Sequence, residues 1–197
     1  MNIVIATPAA NGMVTTQYVA SLHDVSSMLN KRDIKSSYHS VTMADIEMAR
    51  NYLASHFLAN KAATHLLFVD ADMGFRASLI ARMIDFSKDF VSTVYVKREM
   101  DVSRLLSDLR AGESEDPAQR RKAVSRNMQF VGRGLVKGEA GTVSIERGFA
   151  RFEATGMGIC LLSKKVFDQI LTRAWPTSIR VPQLRIANWP STGFLTA

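Results

Sequence analysis

Apolar positions along the first half of the chain fall into two alternating kinds of run. Residues 2–7 (NIVIAT) form a short β-branched run closed by Pro8 and then Asn11-Gly12, which predicts a buried strand ending in a loop. Over residues 15–30, Tyr18, Val19, Leu22, Val25, Met28 and Leu29 recur at helical spacing and predict an amphipathic helix. Residues 35–41 read as a second, more polar strand. Thr42, with Asp45 three residues on, reads as the N-cap of a variant capping box, and the helix it opens runs to about Asn60. Its apolar stripe is Ile46, Ala49, Leu53 and Phe57. Residues 64–69 (THLLFV) are a continuous apolar strand ending at Asp70. Residues 76–86 predict a helix burying Leu79, Ile80, Met83 and Ile84, and residues 89–96 (DFVSTVYV) a further strand. Strands alternating with helices predict an α/β fold: a mostly parallel central sheet with helices on both faces.

The second half is patterned differently. Residues 101–126 are polar, with Gly112, Pro117 and mixed charges, and read as a loop or a loosely packed helix. Residues 128–131, 142–145, 150–153 and 159–162 are short strand-like runs with antiparallel spacing. Ser163 is placed to cap a last helix over residues 164–173. The tail, 176–197, holds three of the five prolines and predicts no element.

Composition adds little to this picture. With 47% hydrophobic and 22% charged residues in 197, the chain suits one globular domain with a real core. No apolar run approaches the roughly 20 residues of a membrane-spanning helix. The N-terminus lacks a basic region and reads as a first strand, not a leader, so the expectation is a cytoplasmic protein whose fold starts at once. The single cysteine, Cys160, excludes a disulfide within these residues and any thiolate-rich zinc site. Set between Gly158-Ile159 and Leu161-Leu162, it reads as a buried strand residue. A net charge of +7 suits nucleic acid, an anionic small molecule, or solubility. Much of it lies in Arg120, Arg121, Lys122, Arg126, Arg133 and Lys137, among Gly, Ser, Asp and Glu and without interleaved aromatics. That composition favours a solvated segment, and no nucleic-acid partner is expected.

Chemistry concentrates where strands end. Asp70-Ala71-Asp72 follows a fully apolar strand, and ligands of open α/β sheets bind beyond the C-terminal strand ends. Two carboxylates there suit a hard cation gripping phosphate oxygens, or simply cap the next helix. Arg50, followed by Asn51, lies four residues after Ile46 and shares the apolar stripe. Such a charge either meets an anion, namely a diphosphate or an Asp70/Asp72 carboxylate, or snorkels to water. Thr7-Pro8 ends the first strand on the same edge. Gly156-Met157-Gly158, in ATGMG, permits either close backbone approach to a ligand or a turn. His23, His39, His56 and His65 show no metal-ligand spacing. The phosphate-cradling loop of P-loop enzymes, the glycine fingerprint of dinucleotide-binding domains and the nucleophile elbow of hydrolases are all absent.

Taken together, IATPAANG, ARNYL, THLLFVDADMGF, DFVSTVYVKRE and ATGMGICLLSKKVFDQI resemble GT-A glycosyltransferases, in particular family-2-like proteins of bacteria and phages, over roughly residues 2–98 and 150–172. The resemblance implies a single GT-A domain over 1–197: a nucleotide-binding half (1–100), a polar segment (101–127) and an acceptor-side half (128–197). It implies a nucleotide-diphosphosugar donor, a UDP- or GDP-sugar foremost, with Mn²⁺ or Mg²⁺ as cofactor. Asp72 would be the direct metal ligand and Asp70 would bind ribose or assist the metal. Thr7 and Pro8 would line the nucleotide pocket, Arg50 would face the diphosphate or the Asp-x-Asp loop, and Asn51, Ala71 and Lys97 would lie near the donor. Gly156, Met157 and Gly158 would form the acceptor side. The sugar would pass to an acceptor hydroxyl. The chain departs from the family after Asp168, beyond which it has no Asp, Glu or His. The catalytic base is therefore unassigned and the acceptor-side half is expected to be incomplete. The alternatives are a non-catalytic nucleotide-sugar-binding domain of the same fold, a phosphatase using Asp70 as nucleophile and Asp72 as acid, and a basic nucleic-acid-binding protein.

Overall fold

The computed structural model describes residues 1–100, 102–111, 117, 121–122, 124, 127–135 and 142–174. Its centre is a five-stranded mixed sheet. Strands β1 (Asn2–Pro8), β2 (Lys35–Val41), β3 (His65–Val69) and β4 (Phe90–Ser92) come from the first half of the chain. Strands β5 (Val96–Met100), β6 (Met128–Phe130), β7 (Gly132–Leu135), β8 (Ile145–Glu146), β9 (Phe149–Ala150) and β10 (Phe152–Thr155) are short, and they form two-stranded pairs β5-β6, β7-β10 and β8-β9. The last strand, β11 (Ile159–Ser163), returns to the sheet, whose order is β2-β1-β3-β11-β4.

The pairing β2-β1-β3 is parallel, as the alternation of strands and helices predicts. The strand β11 inserts antiparallel between β3 and β4, so the sheet is mixed. The short antiparallel pairs expected late in the chain are present.

Helices cover both faces. Strands β1, β3 and β11 alternate their side chains between two cores, which is why each reads as a continuous apolar run. Ile3, Ile5, Leu67, Val69, Ile159 and Leu161 meet α1 (Thr16–Lys31) and α3 (Ala77–Phe86) on one face. Val4, Ala6, Leu66, Phe68, Cys160 and Leu162 meet α2 (Ile46–Ala59) and the last helix, α5 (Lys164–Ala174), on the other. Burying each large side chain contributes about 1.5–3 kcal/mol, so this central sandwich fixes the strand ends firmly. A further helix, α4 (Val102–Ala111), lies in the stretch read as a loop or loose helix; the remainder of that stretch is only partly described and the tail 175–197 lies outside the described residues.

Several local expectations are corrected. The cap of α2 is Asp45, whose side chain accepts from Met48 N at 2.8 Å, not Thr42. Val41 still accepts from Ala9 N, so the chain has not left the sheet by Thr42. Ile46, in the first turn, is consequently 44% exposed and outside the stripe, and Val19 of α1 is 53% exposed. The strand expected over residues 89–96 stops at Ser92 and resumes only at Val96, with Ser92 Oγ donating to Gly156 O at 2.7 Å and Thr93 N to Ile159 O. The runs 142–145 and 150–153 shift to β8-β9 and β10 around a turn at Arg147 and Gly148, both at positive φ. Ser163 Oγ donates to Asp89 Oδ1 rather than serving α5. Among the described residues no helix is long and apolar enough to cross a membrane.

Candidate functional site at the strand ends

The carboxyl edge of the sheet is held in place from the backbone outward. Asp70 N donates to Gly158 O at 2.8 Å, tying the end of β3 to the start of β11. The loop that follows is pinned to α1. Thr15 N donates to Ala71 O at 3.0 Å, while Thr15 Oγ1 caps α1 by accepting from Tyr18 N. Phe75 N donates to Ser21 Oγ at 2.8 Å, and Gly74 lies so close to Gln17 that an added Cβ would sit 3.0 Å from Gln17 Cβ. Asp70 and Asp72 therefore project from a loop fixed at both ends, the kind of preorganised support a binding site needs.

Of the two readings for Arg50, the ion pair is the one realised. Ala49, Leu53 and Phe57 bury one side of α2, and Arg50 beside them reaches Asp70, with Nη2 2.8 Å from Oδ1. Both side chains are about a quarter exposed (23% and 26%). Burial pushes the Asp70 carboxyl above its ordinary range, and Arg50 only partly offsets this. Arg50 Nε is buried and has no protein partner. The pair thus keeps a guanidinium donor unspent, and Asp72, two residues after Asp70, is exposed.

The other site residues divide. Thr7 and Pro8 are buried at the end of β1, just beyond the Ala6–Phe68 rung that joins β1 to β3. The Thr7 hydroxyl is hydrogen-bonded to the Tyr18 hydroxyl, whose ionisation burial pushes well above the usual phenol range. Ala71 is half-buried and contributes its carbonyl to Thr15. Asn51 and Lys97 are exposed, on α2 and β5, and no described contact joins either to Asp70. Met157 packs into the α2-side core.

The two glycines face a ring that the sequence reading passed over. A Cβ on Gly156 would lie 2.6 Å from the Tyr95 hydroxyl, and one on Gly158 2.8 Å from the Tyr95 ring. Neither glycine has a positive φ, so room for Tyr95, not backbone freedom, requires them. The bend that joins β10 to β11 turns both toward the ring, and no periodicity in the sequence signals it. Cys160 is fully buried, and desolvation pushes its thiol up to about 12, which fits the strand-residue reading.

A divalent cation is compatible with these residues only in part. Asp70 and Asp72 offer carboxylates, with one Asp70 oxygen occupied by Arg50. Among the described residues no three His, Cys, Asp or Glu gather at one place. That donor set suits Mg²⁺ or Mn²⁺ completed by water and ligand phosphates, and does not suit an all-protein cage.

The sequence matches no protein-family model, and no curated protein matches it. Among solved structures it is similar to A197 from STIV, with a TM-score of 0.47 and 14% identity over 86% of this chain and 69% of that one. A likeness of that size carries no function across.

Proposed function

We propose that the chain binds a nucleotide-diphosphosugar at the carboxyl edge of the sheet, in the manner of GT-A glycosyltransferases, and transfers its sugar to an acceptor hydroxyl. The observation that carries this is the Arg50–Asp70 pair at the end of β3: a partly buried guanidinium with an unspent donor, set against a carboxylate whose neighbour, Asp72, is exposed. A pair serving packing alone would have no use for surplus hydrogen-bonding capacity. A diphosphate oxygen is the acceptor that fits it.

In this reading Asp72 would hold Mn²⁺ or Mg²⁺, with Asp70 assisting. When bound, the cation offsets the charge of the departing diphosphate. Arg50 orients Asp70 and meets the diphosphate. Thr7 and Pro8 are buried and do not touch the nucleoside; held by Tyr18, they keep the end of β1 in place behind it. The acceptor oxygen bonds to the anomeric carbon as the bond to the diphosphate oxygen breaks. That electron pair leaves with the diphosphate, and the acceptor proton passes to water.

Calorimetry with UDP, GDP, CDP and dTDP, each with and without Mn²⁺, tests the reading. One nucleotide is expected to bind only with Mn²⁺, and Asp72→Ala to weaken it by about a hundredfold, the loss of a charge-assisted ligand. If none of the four binds, the reading fails. Release of free sugar or a glycosylated acceptor from the matching sugar nucleotide then separates an enzyme from a binding domain.

A further inference from the structure

One residue past Asp72 the chain begins to line a cavity of about 340 Å³, bounded by Met73, Phe75, Arg76, Arg82, Tyr95 and Ile159 among others. Its volume lies within the range of small-molecule sites, roughly 300–1,000 Å³. It opens at the same sheet edge, on the α1–α3 face, since Ile159 and Leu79 belong to that core. The floor is rigid, because the Phe75 amide is fixed to Ser21 and Tyr95 is seated on Gly156 and Gly158.

The charge of the lining is one-sided. Arg76 and Arg82 contribute two guanidinium groups, and no Asp or Glu lines the cavity. Arg82 lines the cavity and is held at its rim by the β8–β9 turn rather than neutralised. It donates to Arg147 O at 3.4 Å and lies 5.4 Å from the Phe149 ring centroid, and neither partner carries charge. Among the described residues Arg76 has no ion pair. The wall adds Thr93, whose hydroxyl is buried without a protein partner. Two uncompensated guanidiniums and an unsatisfied hydroxyl around a preformed cavity are the chemistry that recognises an oxyanion.

We propose that this cavity binds the acceptor, and that the acceptor carries an oxyanionic group, a phosphate monoester or a carboxylate, near the hydroxyl to be glycosylated. The inference rests on the donor reading above for the word acceptor; anion binding in the cavity stands independently of it. Arg76 and Arg82 hold the oxyanion, Thr93 donates to it, and the acceptor's carbon skeleton lies along Tyr95.

The test titrates the full chain with glycerol 3-phosphate, glycerate and glycerol at matched ionic strength, read by amide chemical shifts. UDP or GDP with Mn²⁺ is titrated in parallel. One or both anions are expected to bind and shift Thr93 and Tyr95, with glycerol leaving them unmoved; which anion binds tells phosphate from carboxylate. Arg76→Ala/Arg82→Ala should weaken anion binding about tenfold or more, the loss of two charge-assisted contacts, while nucleotide affinity is unchanged. Arg76→Ala alone, at an exposed position, serves if the double variant is poorly folded. Asp72→Ala should do the reverse. The inference is overturned if glycerol binds as well as the anions, if none of the three binds, if the shifts fall elsewhere, or if the arginine variants keep their affinity. Nucleotide binding without anion binding sinks this inference alone. Anion binding without nucleotide binding sinks the donor reading and leaves an anion site.

Discussion

Two polar pairs sit at the same end of the sheet, one on each face, and they are built differently. On the α1–α3 face Thr7 bonds Tyr18, both fully buried and both neutral. On the α2 face Arg50 bonds Asp70, both partly exposed and both charged, with Nε left over. A neutral, saturated pair adds rigidity and offers nothing to a ligand. A charged pair with spare donors is costly to hold and becomes useful when an anion arrives. The first supports the strand end and the second equips it.

The largest effect that tests this contrast is on the charged pair. Arg50→Ala leaves the Asp70 carboxylate half-buried without its partner. The expected loss is about 2 kcal/mol in denaturant unfolding, less than the ~3–5 kcal/mol of a fully buried pair because water reaches both side chains. The pH dependence carries a sign. The folded-state pKa of Asp70 is already raised by burial, and without Arg50 it rises further. A carboxyl raised on folding favours the fold while protonated and disfavours it once pH passes through the folded value. The loss should therefore be smaller near about pH 4 than at about pH 7. An equal loss at both would mean that Arg50 acts through packing.

Next is the neutral pair. Tyr18→Phe strands the Thr7 hydroxyl inside the core, at an expected cost of about 1–2 kcal/mol. Adding Thr7→Val removes the stranded group, and stability should recover in part. Nucleotide binding should survive in both variants, provided the strand end keeps its position. If Tyr18→Phe abolishes binding while the protein stays folded, the division of labour between the two faces is wrong.

This division was half visible in the sequence. Arg50 on an apolar stripe called either for an anion, a diphosphate or a carboxylate of the Asp-x-Asp loop, or for an escape to water, and helical spacing alone did not choose between them. The Thr7–Tyr18 bond was not visible, because Tyr18 reads as one more apolar position of α1 and a hydroxyl leaves no mark on periodicity. The strands β1 and β3 were legible within a residue, since buried strands are unbroken apolar runs, and the polar edge strand β2 was legible from its position between two helical patterns. The antiparallel character of residues 159–162 was legible, but not their place between β3 and β4, because nothing in the run itself says which strands it will meet after the long excursion through β5 to β10. Arg76, Arg82 and Tyr95 went unremarked for the same reason. They lie on three separate elements, and only the tertiary fold makes them one wall.

The smallest effect concerns a second titratable contact on the α2 face. His39 of β2 and His56 of α2 hold their rings 4.3 Å apart. Burial, and then the neighbouring His56, lower the His39 pKa. A histidine lowered on folding favours the fold while neutral. Its contribution is fully present above the ordinary imidazole pKa and is lost as pH falls through the folded value. The opposite face carries a histidine of its own, His65 of β3, whose pKa burial also lowers, beside Tyr18, which stays protonated through this range. Acid should therefore loosen the contact between β2 and α2, seen as amide exchange there that speeds up as pH falls through the His39 midpoint. Replacing His56 with Gln should raise the His39 midpoint in an NMR titration, but only in part, since burial, the larger cause, remains. A complete return to the free-imidazole value would make the charge of His56, not burial, the dominant cause.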